Sequence, residues 1–216
     1  PPTAKVKAKI EDAKFNSKNE LVANDDAKVG AGAFKATAGE LFGTVRGRVL
    51  MKPPFKQDFG AFDIPEEFPA DASNEAYKFA YPPLPWIGAR FKFQVMEKDG
   101  EKMLGKSFDR LLFQRATVFI GTSDMKNYTV KADVMTDGNR RVKSDVGVIV
   151  QRYAVVLKGN ANVLEISSNF ERLTRTAPLK IEAGKWYTLK ATVKVKEGDE
   201  GVVMATVWEK GQPEPD

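Results

Sequence analysis

Trp186-Tyr-Thr-Leu-Lys-Ala-Thr-Val-Lys-Val-Lys196 decides the fold class of this chain. Tyr187, Leu189, Ala191, Val193 and Val195 alternate with Thr188, Lys190, Thr192, Lys194 and Lys196. Successive side chains of an extended strand point to opposite faces, so a period of two marks a strand with one apolar face against a core and one polar face in water. An amphipathic helix would instead repeat its apolar positions at three-and-four spacing, and few windows of this chain do so over a useful length.

The same alternation recurs on either side. In Tyr128-Thr-Val-Lys-Ala-Asp-Val134 the even positions are apolar or small, and Thr129, Lys131 and Asp133 are polar. Lys131, Thr188, Lys190, Thr192 and Lys194 are therefore expected on one exposed sheet face. Further strands are predicted at 90–96, 102–106, 116–120, 145–151, 154–158, 163–167 and 202–208. Turn-forming residues separate them, at Lys98-Asp99-Gly100, Gly121-Thr-Ser-Asp124, Asp137-Gly-Asn139, Gly159-Asn160, Ala183-Gly184 and Glu197-Gly-Asp199. Many short strands with closely spaced turns indicate an all-β sandwich or barrel.

The first 50 or so residues differ in texture. They are Lys- and Ala-rich, with short alternations at 5–10, 33–37 and 43–49 and a turn-prone Asn16-Ser-Lys-Asn19 between them. Met51-Lys-Pro-Pro54 ends the last alternation, because proline cannot donate to a ladder. The expected division is a small β segment over 1–52 and one larger β domain over 53–216. A second proline-rich stretch, Tyr81-Pro-Pro-Leu-Pro-Trp86, reads as a rigid loop crossing a sheet end. The start at Pro1-Pro2 and the turn-rich Gly211-Gln-Pro-Glu-Pro-Asp216 suggest a fragment of a longer protein.

Composition removes several classes of chemistry. The chain has 216 residues, 42% of them hydrophobic and 29% charged, with a net charge of +5. It contains no cysteine and no histidine. Ser-His-Asp and Cys-His catalysis are thus unavailable, there is no disulfide framework, and zinc and copper sites lose their usual ligands. No apolar run approaches the roughly 20 residues of a membrane-spanning helix, so no membrane insertion is expected. Basic residues are scattered, the largest cluster being Arg140-Arg-Val-Lys143. Nucleic acid would call for a basic stripe with interleaved aromatics, so it is not expected as a partner.

From Tyr81 onward the chain resembles a module found in bacterial proteins with an upstream propeller of pyrroloquinoline-quinone-dehydrogenase-like repeats. The likeness is carried by Pro82-Pro-Leu-Pro-Trp-Ile-Gly88, Asp99-Gly-Glu-Lys-Met-Leu104, Phe119-Ile-Gly121, Asn127-Tyr-Thr-Val130, Ala132-Asp-Val134 and Asp145-Val-Gly-Val-Ile-Val-Gln-Arg-Tyr153. It continues through Val156-Leu157, Gly159-Asn160 and Leu164-Glu165 to Trp186-Tyr187 and Leu189-Lys190. Such modules are similar to the concanavalin and laminin-G jelly-roll β-sandwich, a fold shared with the 3-keto-glycoside hydrolase family. Residues 1–50 resemble the end of a bacterial immunoglobulin-like domain, truncated on its N-terminal side. The resemblance implies a periplasmic or secreted setting. It implies a non-catalytic binding or scaffolding role, with a glycan or another domain of the parent chain as partner. The alternative it leaves open is a glycoside hydrolase or lyase. It carries over no catalytic residue set and no cofactor.

Candidate binding residues follow from what β-sandwiches use on sugars, namely exposed aromatics for stacking and Asp, Asn, Gln or Arg for hydrogen bonds. Trp86 and Trp208 are candidates, against structural readings as a plug of the sandwich end and as cover for an outer apolar strip. Trp186, at the start of its strand, is read as structural. Gln151-Arg152-Tyr153 presents an amide, a guanidinium and a phenol at a hairpin corner that would suit a sugar or carboxylate. The competing reading there is an ion pair from Arg152 to Asp145 that pins adjacent strands. Arg115 invites the same two readings. The carboxylates of Asp58, Asp63, Glu66, Glu67, Asp71 and Glu75 raise a structural calcium ion, but they lack dense alternate spacing, and a solvated acidic loop is preferred. Asp133, Asp145 and Glu165 are the carboxylates a glycosidase would have to bring together.

Overall fold

A computed structural model describes residues 5–8, 13–18, 21–23, 30–38, 40–65, 78–90, 92–106, 116–196 and 200–215. These residues form an all-β structure of antiparallel sheets, with no helix among them. The chain divides into two compact units, Pro1–Gly121 and Thr122–Asp216.

In the first unit, β1 (Lys5–Ala8), β4 (Gly30–Ala38) and β5 (Leu41–Val49) form a sheet in the order β1-β4-β5. β2 (Ala13–Phe15) and β3 (Leu21–Ala23) form a hairpin, and its Ser17-Lys18 turn is held by the Lys18 N–H donating to Asn16 Oδ1 at 2.9 Å. β6 (Phe93–Lys98) and β7 (Glu101–Lys106) form another, closed by Asp99 and Gly100, both at positive φ. That pair of angles is what a two-residue turn matched to strand twist requires, and Asp-Gly supplies it at little cost.

The predicted strand over 90–96 starts later, at Phe93. The Lys92 and Phe93 N–H groups both donate to the Ala89 carbonyl, so the chain turns before it extends, and Arg90 lies over the Tyr81 ring at 3.9 Å. The predicted strand over 116–120 reduces to a single bridge between Ile87 and Phe119. Val95, Phe79 and Ala89 are buried, and Pro82 and Pro85 are buried within the proline-rich loop.

Among its described residues the second unit holds seven strands in two sheets. β9 (Val146–Val150), β10 (Tyr153–Lys158), β11 (Val163–Ser168) and β12 (Leu173–Pro178) run as an up-and-down meander in the order β12-β11-β10-β9. β8 (Tyr128–Met135), β13 (Trp186–Val195) and β14 (Gly201–Glu209) form the other sheet, in the order β14-β13-β8. The two inner faces enclose one core. Val134, Leu189, Ala191 and Val193 come from one sheet, and Val150, Val155 and Leu157 from the other, with Ile181 and Tyr187 completing it. Burying each aliphatic side chain contributes on the order of 2 kcal/mol, so this cluster is the main source of the unit's stability.

The long strand keeps the alternation seen in its sequence, with Tyr187, Leu189, Ala191 and Val193 in the core. Lys131 and Lys194 are exposed on the other face, and Lys190 and Thr192 are half-buried there. Thr188 departs from the expectation of an exposed polar row, being only 5% exposed. In register it lies between Asp133 and Trp208, and its hydroxyl donates to Asp133 Oδ1 at 2.7 Å. The C-terminal tail also returns over this face, where Glu214 pairs with Lys190 at 2.6 Å. A satisfied hydroxyl beside a large ring can leave water without penalty.

Candidate functional site

Two hairpin turns meet at one end of the four-stranded sheet. The β9–β10 turn consists of Gln151 and Arg152, and residues 169–172 join β11 to β12. Because Ala154 pairs with Ser167, the start of β10 lies beside the end of β11 and the two turns are neighbours.

The corner does not present the amide, guanidinium and phenol together. Gln151, at a φ of 54°, donates its side-chain amide to the Met125 carbonyl and its N–H to the Tyr128 hydroxyl at 2.7 Å. Tyr153 is half-buried and packs against the core cluster. Both therefore secure the corner rather than face solvent.

Arg152 alone of the three extends outward. Its guanidinium pairs with Glu171 at 3.0 Å, and its centre lies 4.2 Å from the centroid of the Phe170 ring. The expected pairing of Arg152 with Asp145 gives way to this one, and Asp145 binds Lys158 and the Gly159 N–H at its own end of β9. Phe170 is 76% exposed. Neither Phe170 nor Glu171 stands out in the sequence, because Ser-Asn-Phe-Glu-Arg reads as an ordinary turn. Their only local signal is an aromatic in a turn position, where burial cannot explain it.

The remaining candidates are placed elsewhere. Trp86 packs edge-on against Phe59, with centroids 5.7 Å apart, and Phe59 contacts Phe62 at 5.9 Å. Lys102 donates to the Phe62 carbonyl at 2.6 Å, tying this aromatic group to β7. These contacts hold Trp86 within an aromatic group of the first unit. Trp208 is half-buried on the outer face of the three-stranded sheet, with the Lys131 ammonium 5.1 Å from its ring. It covers the outer strip in line with Thr206, Met204 and Val202. Trp186 has the Lys210 ammonium 5.2 Å from its ring. Arg115 lies outside the described residues, as do Glu66, Glu67, Asp71 and Glu75.

The outer face of the three-stranded sheet is a lysine and threonine surface. At its far end a hollow of about 580 Å³ is lined by Asn127, Thr129, Thr192, Lys194, Val202 and Met204, among others. Of these, Thr129 and Thr192 share a hydroxyl–hydroxyl bond of 2.8 Å.

Asp133 lies on this outer face, whereas Glu165 lies on the outer face of the opposite sheet, since Leu164 and Ile166 on either side of it enter the core. The pair is separated by the full thickness of two sheets, which stack about 10 Å apart before side chains are counted. Asp145 is engaged by Lys158. Among the described residues no three His, Cys, Asp or Glu side chains gather as a metal site would require. No helix among them is long and apolar enough to cross a membrane.

Compared with known proteins, the chain matches no family model, no curated sequence and no solved structure. The class that fold and site define is therefore a two-unit, all-β protein with an aromatic–arginine projection at one sheet end.

Proposed function

We propose that this chain is a non-catalytic binding or scaffolding module of an extracytoplasmic bacterial protein, and that it makes contact through the Arg152–Phe170–Glu171 corner. The observation that carries this reading is the exposure of Phe170 beneath a guanidinium already fixed by a carboxylate. An aromatic and an arginine held in one place offer a flat apolar surface and fixed donors at low ordering cost, the combination found at binding hot spots and on sugar-binding sandwiches. The distance of Asp133 from Glu165 supports a binding role over the hydrolase or lyase alternative.

The jelly-roll identity of the larger β domain, its kinship with propeller-associated modules and the immunoglobulin-like origin of the first 50 residues belong to the same proposal. They rest on the sequence motifs, supported by two antiparallel sheets around one core.

The test is a titration of the full chain, labelled for NMR, with a panel of neutral and uronic-acid-containing oligosaccharides. Perturbations centred on Arg152, Phe170 and Glu171, lost in Phe170→Ala, are expected for a glycan ligand. Silence across the panel leaves scaffolding as the role. Release of reducing ends from any panel member would overturn the non-catalytic reading.

A further inference from the structure

The outer face of the β14-β13-β8 sheet holds a carboxylate of the chain's own tail. Gly211, at a φ of 89°, and the Gln212 N–H, which donates to the Glu209 carbonyl at 3.1 Å, reverse the chain after β14. Pro215 restricts Glu214 to extended backbone, as Pro213 does Gln212. Glu214 thereby reaches the Lys190 ammonium at 2.6 Å. The face offers more positive charge than Glu214 uses. Lys131 stands directly opposite Lys190, and like charges so placed weaken a strand pair. Lys194 follows on the same face of β13. Among the described residues neither Lys131 nor Lys194 has a carboxylate partner, and the Lys131 ammonium lies 5.1 Å from the Trp208 ring. Asp133 is taken up by Thr188 and Lys210. Lys196 adds little, since Glu200 lies opposite it across the β13–β14 turn. Lys194 also borders the hollow of about 580 Å³, together with Val202 and the exposed Met204.

We propose that this face is a docking site for an extended acidic segment of a partner protein, part of which Glu214 occupies in cis. Lys190 and Lys194 are four residues apart, about 13 Å along a strand. An extended peptide has the same rise, so carboxylates four residues apart meet both lysines while the peptide backbone passes over Thr192 and Thr129. An apolar side chain beyond the second carboxylate fits the hollow beside Val202 and Met204. A carboxylate near Lys190 also relieves its repulsion with Lys131. Among the described residues the tail engages Lys190 and leaves Lys131 and Lys194 to the partner. The site is separate from the Arg152–Phe170–Glu171 corner, which belongs to the other sheet.

The test titrates the full chain, labelled for NMR, with an acetylated hexaglutamate peptide. Perturbations are expected at Lys131, Lys190, Lys194 and their neighbours, weakening as NaCl is raised from about 50 to about 500 mM. E214Q removes the competing carboxylate from an exposed tail and is expected to tighten hexaglutamate about two- to fivefold. K190M combined with K194M is expected to weaken it about tenfold or more, and F170A to leave it unchanged. E214Q decides the matter should the lysine variant fold poorly. Hexaglutamate without effect on these residues at about 5 mM, an affinity unchanged in E214Q, or perturbations that survive K190M/K194M would each overturn the proposal. Tetragalacturonate binding where hexaglutamate does not would overturn it in favour of an acidic glycan. A dimer that E214Q dissociates would overturn it in favour of the tail of a second copy.

Discussion

At the residue scale, short polar side chains hold the turns of the second unit. Asn162, at a φ of 54°, accepts from the Lys143 ammonium at 2.8 Å and from the Ile181 N–H at 3.1 Å, and Lys143 also donates to the Ile181 carbonyl at 2.6 Å. Asn162→Ala removes the acceptor and leaves a residue less tolerant of the left-handed region than asparagine. A loss of about 1–3 kcal/mol is expected, read as a lower denaturation midpoint in urea with an unchanged slope. Asp124 offers a titration test. The Thr122 side chain and then its own backbone N–H hydrogen-bond its carboxylate and hold its pKa below the ordinary value, against a smaller opposing effect of burial. The folded state therefore favours the ionised form. This contribution is present at neutral pH and is lost as the pH falls through the folded value. NMR titration of the carboxyl is expected to move back toward the ordinary carboxylate range in Thr122→Val.

At the element scale, β13 and β10 are the central strands of their sheets. Leu189 and Leu157 are fully buried where the two inner faces meet. Leu189→Ala is expected to cost about 2–5 kcal/mol, measured by chemical denaturation, because neighbours on both sheets can only partly collapse into the space. β13 and β8 were legible from alternation, and β9, β10, β11 and β14 as short strands set off by turn residues, all to within a residue or two. β12 was not. Leu173-Thr-Arg-Thr-Ala-Pro178 has no apolar row, and only Leu173 is half-buried, so it is a strand through its ladder to β11 rather than through a buried face. Residues 116–120 failed in the opposite sense, having strand-forming side chains but a single bridge partner.

At the scale of the whole molecule, the second unit has a core drawn entirely from its own residues. Thr122–Asp216 expressed alone is therefore expected to fold. Hydrogen exchange should find the slowest amides on β10 and β13, where opening requires loss of the core, and the fastest toward the exposed tail. A fragment with no protected amides would show that this core is insufficient by itself.

Sequence alone determined the all-β class and the two-faced character of the long strand, because alternation is a local consequence of backbone geometry. It also excluded histidine and cysteine chemistry, since those side chains are missing. Only the tertiary structure decided which polar residues remain exposed. Thr188 lost its exposure between Asp133 and Trp208, and Gln151 and Tyr153 became supports of a corner from which Arg152 alone projects. Phe170 and Glu171 joined Arg152 because two turns distant in sequence became neighbours when β10 paired with β11. Such contacts depend on strand order and register, and no local pattern of residues encodes them.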